Sequence, residues 1–424
     1  MAAVWRKSRW RPERSRASRK RLTASSTLQC EEPSQSAPRI FFARPVSVIV
    51  FIRSATTLLM LLATLLPGVA SAHDASAWGG LFRSRDNGAT WFPADAGLFI
   101  GAALALAVNP KNANHLLYGT DTRLLRSKNG GRDWVQEPGV QFDGSVYAVR
   151  FDDDGKGAIA STASRIYFSG DGSIWLDTLA PAGAAPARAI AAGSRRLYLA
   201  GERGVFTSDD RGHTWSTSDG GLPEAAVTAL VVVTLPQEIV LAAIQGGIWA
   251  SRDNGATWQP RDAGLPRDRV DSLALDGKLW VAAADHMFAS EDYGVSWKPV
   301  GKPFPERDTS IRGIVVADEG RTIVLATHRG VLRSTDGGQA WGLVEGNLPM
   351  HLEAGPLVRD PHDAKTLYVG FSLAPYTEMW RRAQGGANLL AQLDPVSLGG
   401  GAALLALLMV LGGFGVRCLI RARA

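Results

Sequence analysis

Arginine stands just before a short apolar run at four similarly placed positions, Arg123, Arg165, Arg203 and Arg329. A guanidinium group presents a planar fork of donors that pairs bidentately with carboxylate or phosphate. If the fold brings these side chains to one surface, they could hold an anionic ligand. The alternative is that they are solvated turn residues, since acids lie beside most of them. Three arginines in comparable loops complete this candidate binding set: Arg267, Arg269 and Arg307.

The segments that must position these arginines belong to a repeat. Seven similar peptides, most of them octapeptides such as SRDNGATW, begin 39 to 44 residues apart. A fixed period of about 42 residues made of four strands of about five residues and four turns is typical of β-propeller blades. The pattern predicts, for example, a third strand over 204–208 and the first strand of the next unit over 227–233. The peptides begin at Ser84, Ser127, Ser169, Ser208, Ser251, Ser290 and Ser334.

Each octapeptide has the chemistry of a hairpin turn. The third residue, Asp, can accept hydrogen bonds from the turn, the fifth, Gly, permits a positive φ, and the closing Trp can fill a gap against the next sheet. The copies around Asn129 and Asp171 depart from the pattern, which predicts looser turns there. The residues assigned to this element are Asp86, Gly88, Trp91, Trp134, Asp171, Trp175, Asp210, Gly212, Trp215, Asp253, Gly255, Trp258, Asp292, Gly294, Trp297, Asp336, Gly338 and Trp341.

The octapeptide closely resembles the Asp-box of the bacterial-neuraminidase (BNR) repeat. That repeat is found in sialidases, sortilin-type receptors, certain glucanases and photosystem II assembly-factor-like proteins. The resemblance covers residues 78–382 and implies that the boxes are folding elements on the rim, away from any active or binding centre. It is specific for the fold and unspecific for the activity.

The number of octapeptides predicts how the ring closes. The chain enters with a third and a fourth strand, 81–84 and 90–93, and ends with a first and a second strand, 355–359 and 366–371. These halves can complete one blade, which predicts an all-β, seven-bladed propeller of four-stranded antiparallel blades, without helices, over residues 73–383. If 379–383 is instead a third strand of an extra blade, the ring has six or eight blades. The connections after strands two and four leave on one side, opposite the octapeptides, and form the candidate binding face.

The two ends of the chain predict export and anchoring. Residues 1–45 read as a disordered basic segment or an over-extended start, and residues 46–72 as a secretory signal peptide cleaved before His73. A linker (384–395) leads to an uncharged stretch, 396–416, long enough for a transmembrane helix. The arginines of the tail, 417–424, place the tail in the cytoplasm and the propeller on the periplasmic or extracellular side of the cell (inner) membrane. The alternatives are that residues 396–416 form a buried core helix and that residues 46–72 are an uncleaved membrane anchor.

Charge and cysteine content exclude several classes of function. Residues 1–45 carry eleven Lys or Arg against three Glu, and Arg53 adds one positive charge, so residues 73–424 account for −3 of the total of +6. A mildly acidic body does not support nucleic-acid binding. Because Cys30 and Cys418 flank the repeats, the propeller has neither a disulfide nor a cysteine-based metal site, and we predict no cofactor and no metal.

Two functions remain open. The preferred one is a membrane-anchored protein-binding scaffold or assembly factor, which resembles the single-propeller assembly-factor proteins. The alternative is a sialidase-like glycoside hydrolase or a glycan-binding propeller. Retaining sialidases need an arginine triad, a Tyr nucleophile with a Glu partner and an acid Asp. The family's Arg-Ile-Pro element is absent from the first blade, so no catalytic residue is nominated.

Overall fold

The described residues of this computed structural model are 79–218, 220–234, 237–384 and 421. They form seven four-stranded antiparallel sheets, the blades of a propeller, as the sequence predicts. The strands up to residue 218 are β1 (Gly80–Ser84), β2 (Phe92–Pro93), β3 (Ala103–Asn109), β4 (Asn112–Thr120), β5 (Leu124–Ser127), β6 (Val135–Gln136), β7 (Ala148–Phe151), β8 (Ala158–Ser161), β9 (Arg165–Ser169), β10 (Leu176–Leu179), β11 (Ala189–Ala192), β12 (Leu197–Gly201), β13 (Gly204–Ser208) and β14 (Ser216–Ser218). The later strands are β15 (Val227–Val233), β16 (Ile239–Ile244), β17 (Gly247–Ser251), β18 (Gln259–Pro260), β19 (Val270–Asp276), β20 (Lys278–Ala283), β21 (His286–Ser290), β22 (Lys298–Val300), β23 (Ile311–Ala317), β24 (Thr322–Thr327), β25 (Gly330–Ser334), β26 (Gly342–Leu343), β27 (Glu353–Asp360) and β28 (Asp363–Ser372), with a 3-10 turn at Asp318–Gly320.

Six blades are continuous in sequence and one is split. Blades 1 to 6 take four consecutive strands each, from β3 to β26. Blade 7 combines β27 and β28 from the end of the fold with β1 and β2 from its start. Strand β1 pairs with β28 in antiparallel register, with Phe82 opposite Val369. The predicted closure by a split seventh blade is therefore confirmed.

The outer strands are shorter than the five residues expected. Strands β2, β6, β18 and β26 have two residues each, and the other outer strands have three or four. Each outer strand is the edge of its sheet, and short edge strands limit pairing with other chains. The second strands contrast with this, since every residue of β16, Ile239–Ile244, is buried. Both faces of a blade pack on neighbouring blades, which explains these continuous apolar runs.

The segment after blade 7 is a helix, α1 (Tyr376–Gln384). The sequence did not predict this helix, and the alternative of a third strand over 379–383 is wrong. Tyr376, Met379, Trp380 and Ala383 recur at helical spacing and pack together on one apolar face. Within the ranges described, no helix is both long and apolar enough to cross a bilayer. The predicted signal peptide (46–72) and transmembrane segment (396–416), the segment 1–45, and most of the linker and tail lie outside the described residues.

The antiparallel strand order gives the ring two different faces. First strands begin and fourth strands end at one face, which also carries the turns between second and third strands. We call this the α1 face, because α1 lies there against the starts of β3 and β27. The opposite face carries the seven turns between third and fourth strands and is called the octapeptide face.

Candidate functional site

The octapeptide turns use their carboxylates locally. In the turn at Ser251, the Ser251 hydroxyl donates to Asp253 Oδ1 at 2.7 Å, and the Gly255 amide donates back to Ser251 Oγ at 2.8 Å. The amide and the hydroxyl of Thr257 donate to the two oxygens of Asp253 at 2.8 and 2.6 Å. The carboxylate is thereby engaged within the seven residues from Ser251 to Thr257. The same arrangement, with Thr, Ser or a backbone amide as donor, surrounds Asp86, Asp210, Asp292 and Asp336.

These hydrogen bonds favour the ionised form of the aspartates. Partial burial acts to raise the pKa of Asp253, but the hydrogen bonds from Thr257 and Ser251 outweigh it and hold the pKa at about 2. Asp210 and Asp292 have pKa values of about 2 for the same reasons. A carboxyl group with so low a pKa cannot serve as a general acid near neutral pH.

Each octapeptide tryptophan packs against a neighbouring blade. Trp258 is only 4% exposed, and its indole N–H donates to Ser218 Oγ of the preceding blade at 3.0 Å. Gly255 has a φ of +85°, and a Cβ there would lie 2.8 Å from the same Ser218 hydroxyl. All seven of these tryptophans are buried or half-buried: Trp91, Trp134, Trp175, Trp215, Trp258, Trp297 and Trp341. The corresponding glycines also have positive φ: Gly88, Gly212, Gly255, Gly294 and Gly338.

The two divergent turns differ from each other. Asn129 Oδ1 accepts from the amides of Arg132 and Asp133 at 3.1 and 2.9 Å, so the looser turn expected there is not found. The shorter copy bonds one residue earlier, because Asp171 accepts from the amides of Ser173 and Ile174 at 2.8 and 3.0 Å. Trp134 and Trp175 are buried in both cases.

The α1 face differs, because side chains from several blades meet there around the helix. The Tyr376 hydroxyl is buried and contacts the carbonyl oxygens of Ala103 in blade 1 and Gly355 in blade 7. The Trp380 ring contacts the Tyr147 ring of blade 2, at 4.8 Å, and the Arg188 guanidinium of blade 3, at 4.2 Å. The helix therefore joins four blades across one mouth of the central channel of the ring, which the first strands of the blades surround.

The last turn of α1 is held by charge. Glu378 accepts from Arg381 and Arg382 at 2.8 to 2.9 Å, and these hydrogen bonds lower its pKa to about 2. Gln384 Nε2 donates to Glu202 in the second-to-third turn of blade 3 at 2.6 Å. Helix α1 thus ends above blade 3.

A cavity of about 310 Å³ remains beside α1, at the mouth of the channel. We call it the channel cavity. Three arginines from blades 3, 5 and 6 line it together with aromatic and hydroxyl side chains. Its polar and aromatic lining comprises Tyr147, Arg188, Thr228, Arg269, Asp271, Ser310, Arg312, Tyr376, Thr377 and Trp380. Such a mixture can bind polar or charged groups of a polypeptide, a glycan or an anion.

Each arginine of the channel cavity has an acidic partner. Arg188 lies 3.0 Å from Glu202, and Arg269 lies 2.5 Å from the buried carboxylate of Asp271. Burial raises the pKa of Asp271, and the charge of Arg269 opposes that rise. Arg312 Nη1 lies 2.9 Å from Glu353 as an ion pair without the alignment of a hydrogen bond. The cavity is therefore charged but locally balanced.

The structure does not gather the predicted arginines into one ring. Arg269 reaches the channel cavity, and Arg269 and Arg307 line a second recess of about 300 Å³ between blades 5 and 6. Arg165, Arg203 and Arg329 pair instead with acids near them, Asp177, Glu224 and Glu306 respectively. Arg123 and Arg267 are exposed on the loops of blades 1 and 5.

Arg188 and Arg312 are site residues that the sequence did not indicate. Both stand at the start of first strands, which meet at the axis of the ring. The arginines singled out in the sequence instead precede third strands, farther from the axis. A charged residue at the start of an otherwise apolar first strand was the signal that could have found Arg188 and Arg312.

The tyrosines nearest the channel cavity are engaged as structural donors. The hydroxyl of Tyr147 donates to the carbonyl oxygen of Met379 at 3.2 Å, and that of Tyr376 bonds to the backbone as described. Tyr198 does donate to a carboxylate, Glu238 Oε1 at 2.9 Å, but Tyr198 is fully buried near the octapeptide face. In the part of the chain that the structure describes, no three His, Cys, Asp or Glu residues cluster so as to hold a metal ion.

Several solved structures of low sequence identity are similar to this chain. No protein-family model and no curated protein matches the chain. The structure of YCF48 bound to D1 peptide is 17% identical, with a TM-score of 0.49, over 65% of this chain and 95% of that one. YCF48 from Cyanidioschyzon merolae is 15% identical, with a TM-score of 0.48, over 65% and 97%. The extracellular domain of the two-component system BT4673 from B. thetaiotaomicron is 12% identical, with a TM-score of 0.51, over 65% and 38%. The chain belongs with the β-propellers by fold.

Proposed function

We propose that this chain is an exported, membrane-anchored propeller that holds partner polypeptides on its α1 face. The observation that carries the proposal is that this face already accommodates a polypeptide helix. Trp380 of α1 contacts both Tyr147 and Arg188, and the channel cavity remains open beside it. Aromatic and arginine side chains around a recess are the anchors that protein interfaces favour.

The octapeptide face has a different role in this proposal. We infer that the seven turns are Asp-boxes whose aspartates, glycines and tryptophans build the frame. Their carboxylates are satisfied inside each turn, as at Asp253, and their indoles are packed between blades, as at Trp258. Side chains whose polar atoms are already hydrogen-bonded, or whose rings are buried, have few free groups with which to bind a ligand.

Partner capture tests the scaffold function. The full tagged chain is crosslinked in native membranes and purified with its partners. Arg307→Glu on the α1 face is compared with Arg252→Glu on the octapeptide face, since both arginines are exposed. We expect Arg307→Glu to reduce the partner yield at least fivefold and Arg252→Glu to leave it unchanged. Equal yields from both variants would contradict the proposed face.

A glycan-binding or glycoside-hydrolysing propeller is the second candidate. It is favoured by the arginines, the buried Asp271 and the Trp380 ring at one cavity. A screen of the folded chain against fluorogenic glycosides, sialosides first, separates the two functions. Turnover that Asp271→Asn abolishes would replace the scaffold function with the enzymatic one.

Export and anchoring are tested by topology reporters. Alkaline phosphatase and a reporter active only in the cytoplasm are each fused after Ala424. Because the arginines that follow residue 416 are expected to stay inside, only the cytoplasmic reporter should be active. Phosphatase activity at this end would show that the tail lies outside the cytoplasm, which contradicts the predicted topology.

A further inference from the structure

Of the large apolar side chains that the described residues expose, those at the α1 face lie in one part of it, while others such as Ile174 and Val295 lie on the octapeptide face. Leu98 and Phe99 lie in the loop from blade 7 to blade 1, and Met350 lies in the loop from blade 6 to blade 7. Leu179 ends the outer strand of blade 2, and Leu373 follows β28. Leu179 is 70% exposed, Phe99 67% and Met350 58%. We call these five residues the apolar sector.

The outer strands of the adjoining blades show the same preference for exposed apolar residues. The residue after the octapeptide tryptophan points outward from the outer strand. It is apolar in three consecutive blades, 7, 1 and 2, and polar in the three that follow, 3, 4 and 5. The apolar members are Phe92, Val135 and Leu176, each more than half exposed, and their polar counterparts are Ser216, Gln259 and Lys298.

The α1 face also carries charge, including Arg123 on the blade 1 loop beside the apolar sector. Its loops over blades 3 to 6, which we call the charged sector, carry exposed arginines and acids instead of large apolar side chains. Its residues include Glu202, Arg203, Arg267, Asp268, Glu306, Arg307 and Arg329. Because the blades are otherwise equivalent repeats, a difference between adjacent sectors points to different surroundings.

We propose that the apolar sector rests on the lipid surface of the membrane in which the chain is anchored. The inference rests on the anchor of the proposed function. Helix α1 ends at Gln384, whose side chain is hydrogen-bonded to Glu202 of blade 3, next to the apolar sector. Eleven residues, 385–395, separate it from the predicted span. An extended segment of that length reaches at most about 40 Å, so Gln384 lies within that distance of the predicted span.

The chemistry of the sector fits the boundary between headgroups and acyl chains. Phe, Leu and Met side chains gain free energy by leaving water at such a boundary. The body outside residues 1–72 has a net charge of −3, so attraction to anionic lipid does not drive the contact. Docking should therefore occur on neutral phosphatidylcholine and change little with salt. It leaves the charged sector accessible to partners.

Depth-dependent fluorescence quenching tests this contact. The full chain, with Cys30→Ser and Cys418→Ser, is reconstituted into phosphatidylcholine nanodiscs. An environment-sensitive probe is attached at Met350→Cys or Leu179→Cys. Val295→Cys is the matched control, because Val295 is also exposed and lies in the octapeptide turn of blade 5. Spin-labelled lipid should quench the probes at positions 350 and 179 at least threefold more strongly than the probe at position 295.

Each outcome decides the proposal. Equal quenching at the three positions overturns it and leaves the anchor intact; a protein partner would then be the occupant of the sector. A chain that does not co-elute with the discs has no anchor, which overturns the proposed function and this inference together. If a cysteine variant does not fold, amide exchange of the unlabelled chain replaces the probe. Loops 97–100 and 349–352 should then exchange more slowly in discs than in detergent, and unchanged exchange overturns the proposal.

Discussion

The two faces of the ring use the same residue types in different ways. On the octapeptide face, Asp253 is bonded to residues two and four positions away, and the arrangement recurs from blade to blade. On the α1 face, Arg188 and Tyr147 come from different blades and meet only through Trp380. Residues that recur in each blade stabilise the frame of the propeller, whereas residues that occur in single blades mark the surface available for function.

The largest effect should come from an octapeptide tryptophan. Trp258→Ala removes an indole buried between blades 3 and 4 and leaves Ser218 without its donor. Loss of a buried tryptophan costs about 3 to 5 kcal/mol in the free energy of unfolding. Chemical denaturation measures the change, and Tyr293→Ala, at a more exposed aromatic of the same face, is the control. If both variants lose equal stability, the tryptophans do not support the frame.

The octapeptide aspartate should contribute less, and in a pH-dependent way. Asp253→Ala removes a carboxylate that accepts several hydrogen bonds, which we expect to cost about 2 kcal/mol at neutral pH. Its pKa is about 2 in the fold against a reference of 3.8. Stabilisation from a lowered pKa is complete above the unfolded value and is lost as the pH falls through the folded one. The difference between wild type and variant should therefore narrow between pH 4 and pH 2.

Denaturation at several pH values checks this, with Asp253→Asn as the matched control. An amide keeps one acceptor oxygen, as Asn129 does naturally in the second turn. Asp253→Asn should therefore retain much of the stability and show a weaker pH dependence. A gap between wild type and Asp253→Ala that stays constant down to pH 2 would contradict the account.

On the α1 face, loss of a single hydroxyl should have a smaller and more local effect. Tyr376→Phe removes the contacts to the carbonyl oxygens of Ala103 and Gly355 and keeps the buried ring. Such a loss costs about 1 kcal/mol. Amide exchange in α1 should accelerate while exchange at the octapeptide turns stays unchanged. Faster exchange at both faces would show that the helix also supports the frame.

The smallest effect belongs to an exposed ion pair. Arg203 and Glu224 lie 3.6 Å apart, and both side chains are more than two-thirds exposed. Exposed pairs contribute about 0 to 1 kcal/mol. Glu224→Gln should therefore shift the denaturation midpoint by less than Tyr376→Phe does. A larger loss would mean that this pair is part of the frame.

The repeat made most of the fold predictable from the sequence. Strands such as Gly204–Ser208 and Val227–Val233 are found with the predicted bounds, because a glycine or turn marks one end and the octapeptide or apolar pattern the other. The closing contact of β1 with β28 followed from counting the turns. Outer strands were predicted too long, because pairing at a sheet edge depends on neighbours rather than on local residue types.

The candidate site was less predictable because it depends on where blades converge. Helix α1 has nine residues, and its apolar positions 376, 379 and 380 span too short a segment to stand out beside a strand pattern. Arg188 and Arg312 belong to blades three units apart, so no local motif joins them. The arginines before the third strands shared a motif, but they lie on turns of four different blades, 1, 2, 3 and 6.

Site-specific photo-crosslinking tests most directly whether the α1 face is the one that binds partners. A benzophenone side chain is placed at Arg267 or Arg307 on the α1 face, and at Arg252 or Tyr293 on the octapeptide face, in the full chain within native membranes. We predict discrete crosslinked partner bands from positions 267 and 307 and none from positions 252 and 293. Bands from the octapeptide face alone would contradict the division between the frame and the working surface.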